Sequence, residues 1–417
     1  MLERMPALQS RDYRLLFYET VLGAAARWAL LLGRGWLVFE LTDSTGAVGI
    51  VTFAGMAPFL FLGPIGGGLA DRLDRRRMAI GAGAIGVVIS LVLGALVVAD
   101  VVETWHVVLL AVLQGTSMAM VAPAQEALMP SLVKREHLLN AITLAGLARH
   151  GSRVAGPLAG GLVLATLGAG AVFFLSAGLL ALSVVQVWRI RWRPAAPPLA
   201  AGSLARSIGR DVAQGMGYAW RDRRVRLILS LVGAHCGLTM AFDSLMPRLA
   251  TDIGGGSDTF SAIVVGAGVG ALAGTLALSQ LRQEHLRGPM FAAVGVGSGL
   301  SMIVLGLAQT PAMAVVGAAL AGGTQATYMA MSATFIQSVI PDRLRGRVMS
   351  LYLMLAAGHM AFMNLGFGLI ADSVGERVLL IWPGVLWVAV FLLAALAMTD
   401  LRGLLRRGQF AAVEGVA

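Results

Sequence analysis

Six ionisable side chains interrupt long apolar runs of the sequence: Glu19, Arg27 and Arg34 in the first run, Arg149 and Arg153 in the fifth, and Asp243 in the seventh. A charge at membrane depth costs a few kcal/mol or more, so each is a functional candidate by default. A carboxylate in such a place can load and release a proton, whereas arginine stays protonated and instead holds acceptor groups. Asp243, nearer the outer half of its run, is favoured over Glu19 as the proton carrier. Arg27 and Arg34 are seven residues apart and share a helix face, with Glu19 turned away by roughly 80°. Arg149 and Arg153, four apart, share the face that carries Gly156 and Gly160. Four arginines against two carboxylates make a neutral to positive cavity suited to an anionic or oxygen-rich amphipathic ligand. Equally, they are structural clamps on Glu19, Asp243, Glu126 or backbone carbonyls, and both readings stand. His235 and His359 also lie in apolar runs and titrate near neutrality in water, although a lone histidine there is more commonly a hydrogen bonder between packed helices.

The elements that must position these groups follow from composition. Of 417 residues 57% are hydrophobic and 13% charged, against roughly 25% charged in a soluble domain. The apolar residues fall into runs of about 20 or more, each able to cross the ~30 Å hydrocarbon core as a helix. That excludes an ordinary soluble enzyme and predicts an all-α integral membrane protein. The expected spans are 15–39, 46–70, 78–99, 104–125, 138–165, 169–190, 226–250, 259–281, 288–308, 311–336, 347–371 and 377–399. The first run continues without a small-residue cleavage site and reads as an uncleaved helix. Trp188 and Trp192 at one end of the sixth run, and Trp105 at the opposite end of the fourth, fit interfacial anchoring.

Twelve spans place alternate loops on opposite faces, and 26 of the 32 Lys and Arg then fall on one face. The positive-inside bias puts that face, and both termini, in the cytoplasm. The formal charge of +10 is therefore a topology code and not a nucleic-acid surface. The longest polar stretch, 191–224, is Pro- and Arg-rich and separates a bundle at 1–190 from one at 225–400, with a tail at 401–417. Weak echoes support duplication: Arg11-Asp12-Tyr13-Arg14 precedes span 1 as Arg221-Asp222-Arg223-Arg224 precedes span 7. A six-plus-six arrangement is the plan of many secondary transporters. Lys134 is the only lysine and lacks the Gly-Lys-Ser/Thr context of a phosphate-binding loop, so ATP hydrolysis by this chain is excluded. No metal or nucleophile signature is present, and no cofactor is expected. The single cysteine, Cys236, permits no internal disulfide.

The loop after span 2 reads Gly67-Gly68-Leu69-Ala70-Asp71-Arg72-Leu73-Asp74-Arg75-Arg76-Arg77. It resembles motif A of the major facilitator superfamily, departing only at Asp74, where the family has glycine. The resemblance implies a charged latch built on Gly67, Asp71, Arg72, Arg75 and Arg76 that holds the cytoplasmic side closed; Asp74 adds a second carboxylate expected to loosen the turn. In span 5, Gly156-Pro157-Leu158-Ala159-Gly160-Gly161 resembles motif C, associated in that superfamily with exporters running as antiporters. Small-residue packing alone is the alternative reading of that element. Motif B is decayed, with Gln114-Gly115 present but Ala111 in place of its arginine, and Leu278 stands where a second-half latch would need aspartate. The stretches Pro123 to Asn140 and Pro341 to Val348 resemble the branch containing the enterobactin exporter and macrolide-efflux proteins. The resemblance places spans 3, 6, 9 and 12 at the periphery, and the apolar interiors of those four carry no charge. It also implies a monomeric exporter of the inner membrane, with a drug- or siderophore-like small molecule, protons and lipids as its partners. A lipid facilitator of the same fold without ion coupling is the alternative.

Overall fold

The computed structural model describes residues 5–70, 73–191, 204–281 and 283–410, and no strand occurs among them. The chain forms two compact units, Met1–Ile208 with Gly256–Val265, and Gly209–Gly255 with Gly266–Ala417. The first holds α1 (Arg11–Thr42), α2 (Thr45–Ala70), α3 (Arg75–Val98), α4 (Thr104–Leu128) and α5 (Leu138–Arg189). α6 (Leu204–Arg221) begins in the first unit and lies mostly in the second, with α7 (Arg223–Thr239), α8 (Met246–Asp252), α10 (Arg287–Gly306), α11 (Pro311–Val339), α12 (Asp342–Val374), α13 (Glu376–Ala397) and α14 (Thr399–Arg407); α9 (Ser257–Ser279) begins in the first unit and ends in the second.

Among the described residues ten helices are long and apolar enough to cross a membrane. One of them, Asn140–Arg189, covers two of the expected spans. Only Gly168 divides it, at φ 80° and ψ 176°, a conformation that side-chain-bearing residues rarely adopt. α11 occupies the expected tenth span over 29 residues. α6 falls in the stretch read as a linker and is strongly amphipathic, its exposed side bearing Met216 and Trp220.

Helix starts are set locally. Ser10 accepts from the Tyr13 amide at the head of α1, and its hydroxyl donates to Leu132 O at 2.8 Å. Glu103 and His106 close a reciprocal cap on α4. Asp74, the departure from the motif A pattern, is the N-cap of α3: its Oδ1 accepts from the amides of Arg76 at 2.9 Å and Arg77 at 3.2 Å. The expected loosening of the turn is thus corrected, because a carboxylate there satisfies donors that glycine would leave open.

Within the first unit, α1 lies along α5, α2 against α4, and α3 against α5. Only 28% of the apolar stretch of α3 and 33% of that of α13 is buried, while that of Arg223–Asp252 is 72% buried. Apolar side chains such as Leu162, Leu182, Leu393 and Leu396 face outward, as a lipid-facing surface requires. α3 and α13 are two of the spans that the family resemblance puts at the periphery, but α12, which it does not, is also 33% buried. α10, also expected at the periphery, is half buried because α11, α13 and α14 all pack on it.

Candidate functional site

Glu19, Gly23 and Arg27 follow one another at four-residue steps along α1. Gly23 has no side chain, and the point where a Cβ would stand lies 3.2 Å from Arg27 Nη1, 3.2 Å from Ser183 Oγ and 3.4 Å from Glu19 Oε1. The guanidinium, the hydroxyl and the carboxylate therefore converge on the space that glycine leaves. This corrects the expected separation of Glu19 from the arginine face. A helical angle of roughly 80° fixes only where side chains leave the backbone, and a long arginine reaches back toward the acid across a glycine.

Glu19 is 4% exposed. Its Oε1 accepts from Gln125 Nε2 of α4 at 2.9 Å and from Ser183 Oγ of α5 at 3.5 Å, and Thr20 Oγ1 donates to Oε2 at 3.4 Å. The Arg27 charge acts directly on Glu19, and that of Arg149 acts on Arg27. These groups line a cavity of about 180 Å³ together with Tyr13, Thr20 and Gln125, with Met118, Met129 and Phe17 supplying apolar wall. Tyr13 donates from its hydroxyl to Ala141 O at 2.7 Å, which fixes the start of α1 to α5. Below it, side chains from the ends of α1, α4 and α5 form a continuous core around Tyr13, Leu128, Leu132 and Ile190.

The remaining charges go elsewhere. Arg153 leaves the face of Arg149 and lies over the Trp28 ring of α1 at 5.0 Å, a cation–π contact worth ~0.5–2 kcal/mol. Arg34 turns toward α2: a Cβ on Gly55 would be 3.8 Å from its Nη2 and 4.0 Å from Ala111 O. Its guanidinium thus comes to the neighbourhood of the position where motif B has its own arginine, and Arg34 Nη1 has no hydrogen-bond partner. Asp243 lines no part of that cavity and lies outside a continuous helix. It begins the 3-10 turn Asp243–Leu245, in the break between α7 and α8 that the sequence reads as unbroken, and the neighbouring Ser244 bonds to Asn364 through Oδ1 at 3.1 Å and through O at 3.0 Å.

Motif C does its packing work against α1. A Cβ on Gly156 would lie 2.5 Å from Ala25 O and 2.8 Å from Trp28 Cβ, and one on Gly160 would be 3.0 Å from Ala29 Cβ. Ser152 donates to Val21 O at 3.0 Å in the same groove. Pro157 is buried within α5, and a Cβ on Gly161 would meet Ser261 of α9 at its Oγ, 2.7 Å away. Of motif A, Asp71 and Arg72 lie outside the described residues, as do Trp192 and the side chain of Glu126, and Gly67 is placed only as part of α2. Arg75 opens α3, while Arg76 donates through Nε to Val187 O at 3.1 Å and through Nη2 to Trp188 O. Arg76 thereby caps the last turn of α5.

Sequence pattern alone passes over Gly23, Gln125 and Ser183. Gly23 has a visible signal, since a small residue midway between acid and base at i, i+4 and i+8 makes room for their pairing. Ser183 has none, because it comes from the far half of a 52-residue helix.

A family model described as "Transmembrane secretion effector" matches residues 4–408. The multidrug efflux pump Tap of Mycolicibacterium fortuitum is 26% identical over 379 residues, spanning 87% of this chain and 89% of that protein. Macrolide efflux protein A of Streptococcus pyogenes is 24% identical over 369 residues, spanning 85% and 88%. Among solved structures, a crystal structure of the nucleoside transporter NupG superposes with a TM-score of 0.72 at 14% identity, covering 93% of this chain and all of that one.

Proposed function

The chain belongs to the transmembrane secretion effector family of the major facilitator superfamily, and from that membership we propose that it exports a small amphipathic drug-like molecule across the plasma (inner) membrane in exchange for protons. The observation that carries this reading is the buried carboxylate of Glu19, held by Gln125 and the Arg27 charge at the wall of a largely apolar cavity. At about 180 Å³ the cavity is smaller than the ~300–1,000 Å³ of a drug-sized pocket. It takes one polar end of a larger molecule.

Glu19 ionised pairs with Arg27. Ionised, it also accepts donor groups of the ligand, and protonated it gives them up, so proton and ligand compete for one carboxylate beside Arg27. Glu19 accordingly takes precedence over Asp243 as the coupling carboxylate. Arg149, at the cavity wall, adds a second cation for an oxygen-rich or anionic group. Alternating access between a bundle at 1–190 and one at 225–400, joined through 191–224 and with both termini cytoplasmic, accords with the placement of 26 of 32 basic residues on one face. The names of the relatives make macrolides the first substrates to assay.

The experiment is erythromycin uptake into everted membrane vesicles, with and without a protonophore, for the wild type and Glu19→Gln. Protonophore-sensitive uptake in the wild type and its loss in Glu19→Gln are expected. Uptake indifferent to the protonophore supports the uncoupled facilitator, and full uptake by Glu19→Gln removes Glu19 from the cycle.

A further inference from the structure

The second unit holds a polar pair that this cycle does not use. His235 of α7 and Tyr328 of α11 are both fully shielded, at 0% exposure. Their rings stack with centroids 4.1 Å apart and planes 24° apart. Trp387 of α13 meets His235 edge-on at 5.0 Å, and Phe291 of α10 stacks on Tyr328 at 4.8 Å. Neither imidazole nitrogen nor the Tyr328 hydroxyl reaches a hydrogen-bond partner. Their neighbours do: Trp387 Nε1 donates to Gly295 O at 2.7 Å, and His359 Nδ1 bonds to Leu355 O at 2.8 Å. His359 thus bonds within its own helix rather than between packed helices, and His235 does neither. A buried polar atom left unpartnered is destabilising, and phenylalanine at either position would fill the same aromatic stack. Packing explains the rings but not their heteroatoms.

A second feature lies one turn away. α7 ends at Thr239, and the carbonyl released by the break accepts from Gln325 Nε2 at 2.6 Å. Gln325 and Tyr328 lie three residues apart on α11, so that helix presents two polar rungs to α7. The first rung is satisfied on Thr239; the second faces His235 and is not. Discontinuous spans with exposed backbone carbonyls are where transporters handle ions.

We propose that His235, backed by Tyr328, is a proton-loading site of the second unit. When the α7 break opens, the neutral imidazole takes a proton from water on one side of the membrane. The resulting imidazolium is held against the Tyr328 and Trp387 rings by cation–π attraction, and it returns the proton to water on the other side. No other bond changes. The titratable groups around it are Cys236 on α7, Tyr328 on α11, and Tyr352 and His359 on α12, while α10 and α13 present Phe291 and Trp387. An imidazolium in the closed stack has no counter-charge, so loading requires the stack to open. The inference rests on proton-coupled efflux and adds a second carrier to Glu19.

The test uses the full-length protein in liposomes with an entrapped pH-sensitive dye, and erythromycin and ethidium as transport probes. Drug-linked proton flux is measured over pH ~5.5–8, bracketing imidazole titration. The wild type shows such flux. His235→Phe, which keeps the stack, folds with an unchanged melting temperature, still binds the probes, and loses at least about tenfold of the proton flux together with its pH dependence near neutrality. Tyr328→Phe retains flux with a displaced pH profile. Wild-type flux and pH profile in His235→Phe would overturn the assignment. If His235→Phe does not fold, the smaller His235→Asn reads the same quantity with the same two outcomes. A wild type without drug-linked proton flux overturns the coupling reading itself, and this site with it, a failure separable from that of His235 alone.

Discussion

Gly23→Ala separates the candidate site from the fold. The three atoms a Cβ at position 23 would meet, at 3.2 to 3.4 Å, are all far ends of side chains. The helix itself gains by ~0.5–1 kcal/mol from replacing glycine in its interior. Stability should therefore stay level or rise. The site fares differently, because Arg27 Nη1 and Glu19 Oε1 can no longer both occupy the glycine gap. At an effective dielectric near 20, opposite charges about 5 Å apart attract by ~3 kcal/mol, and retreat by about 3 Å forfeits ~1 kcal/mol of that. Applied to the step that Glu19 and Arg27 control, ~1 kcal/mol corresponds to roughly a five- to tenfold loss in rate. Purified Gly23→Ala should melt no lower than the wild type, while erythromycin uptake by its vesicles falls by about that factor. Wild-type uptake, or a lost fold, would refute the assignment of Gly23 as the gap in which acid and base meet.

Gly156→Ala makes the opposite contrast. Its Cβ would stand 2.5 Å from the Ala25 carbonyl, which cannot move without shifting α1, so a destabilisation of ~1–3 kcal/mol and a lowered melting temperature are expected from overpacking. Asp222, the N-cap of α7, has its carboxyl lowered from the ordinary value of 3.8: burial raises it, but the hydrogen bonds and charge of Arg224 outweigh burial. A lowered carboxyl stabilises the fold above its unfolded pKa, and the contribution is lost as pH falls through the folded value. Acid unfolding of Asp222→Asn, followed by circular dichroism below pH ~4, should accordingly show a smaller stability loss than the wild type.

The membrane class was legible in composition, because repeated runs of about 20 apolar residues match the thickness of a bilayer and exceed what a soluble core buries. The junction of the fifth and sixth spans was legible as well: the expected ends at 165 and 169 bracket Gly168, where the 52-residue stretch turns. The break in the seventh was hidden: Met240 to Phe242 are apolar, and their departure from the helix depends on Gln325, distant in sequence, taking up the Thr239 carbonyl. The charges were found by type, but not sorted by role. Arg149 and Arg153 share a helical face and yet serve a cavity and a Trp28 contact respectively, a difference decided by α1. Asp74 looked like a defect in a motif, and is a helix cap.

Competition between ligand and proton at Glu19 and Arg27 is open to direct measurement as proton exchange on binding. Erythromycin is added to purified protein in weakly buffered detergent solution near neutral pH, and the proton released is read with an indicator dye. If the two compete through this pair, the wild type releases a proton on binding and Glu19→Gln binds without releasing one. Equal release from both proteins would contradict the competition.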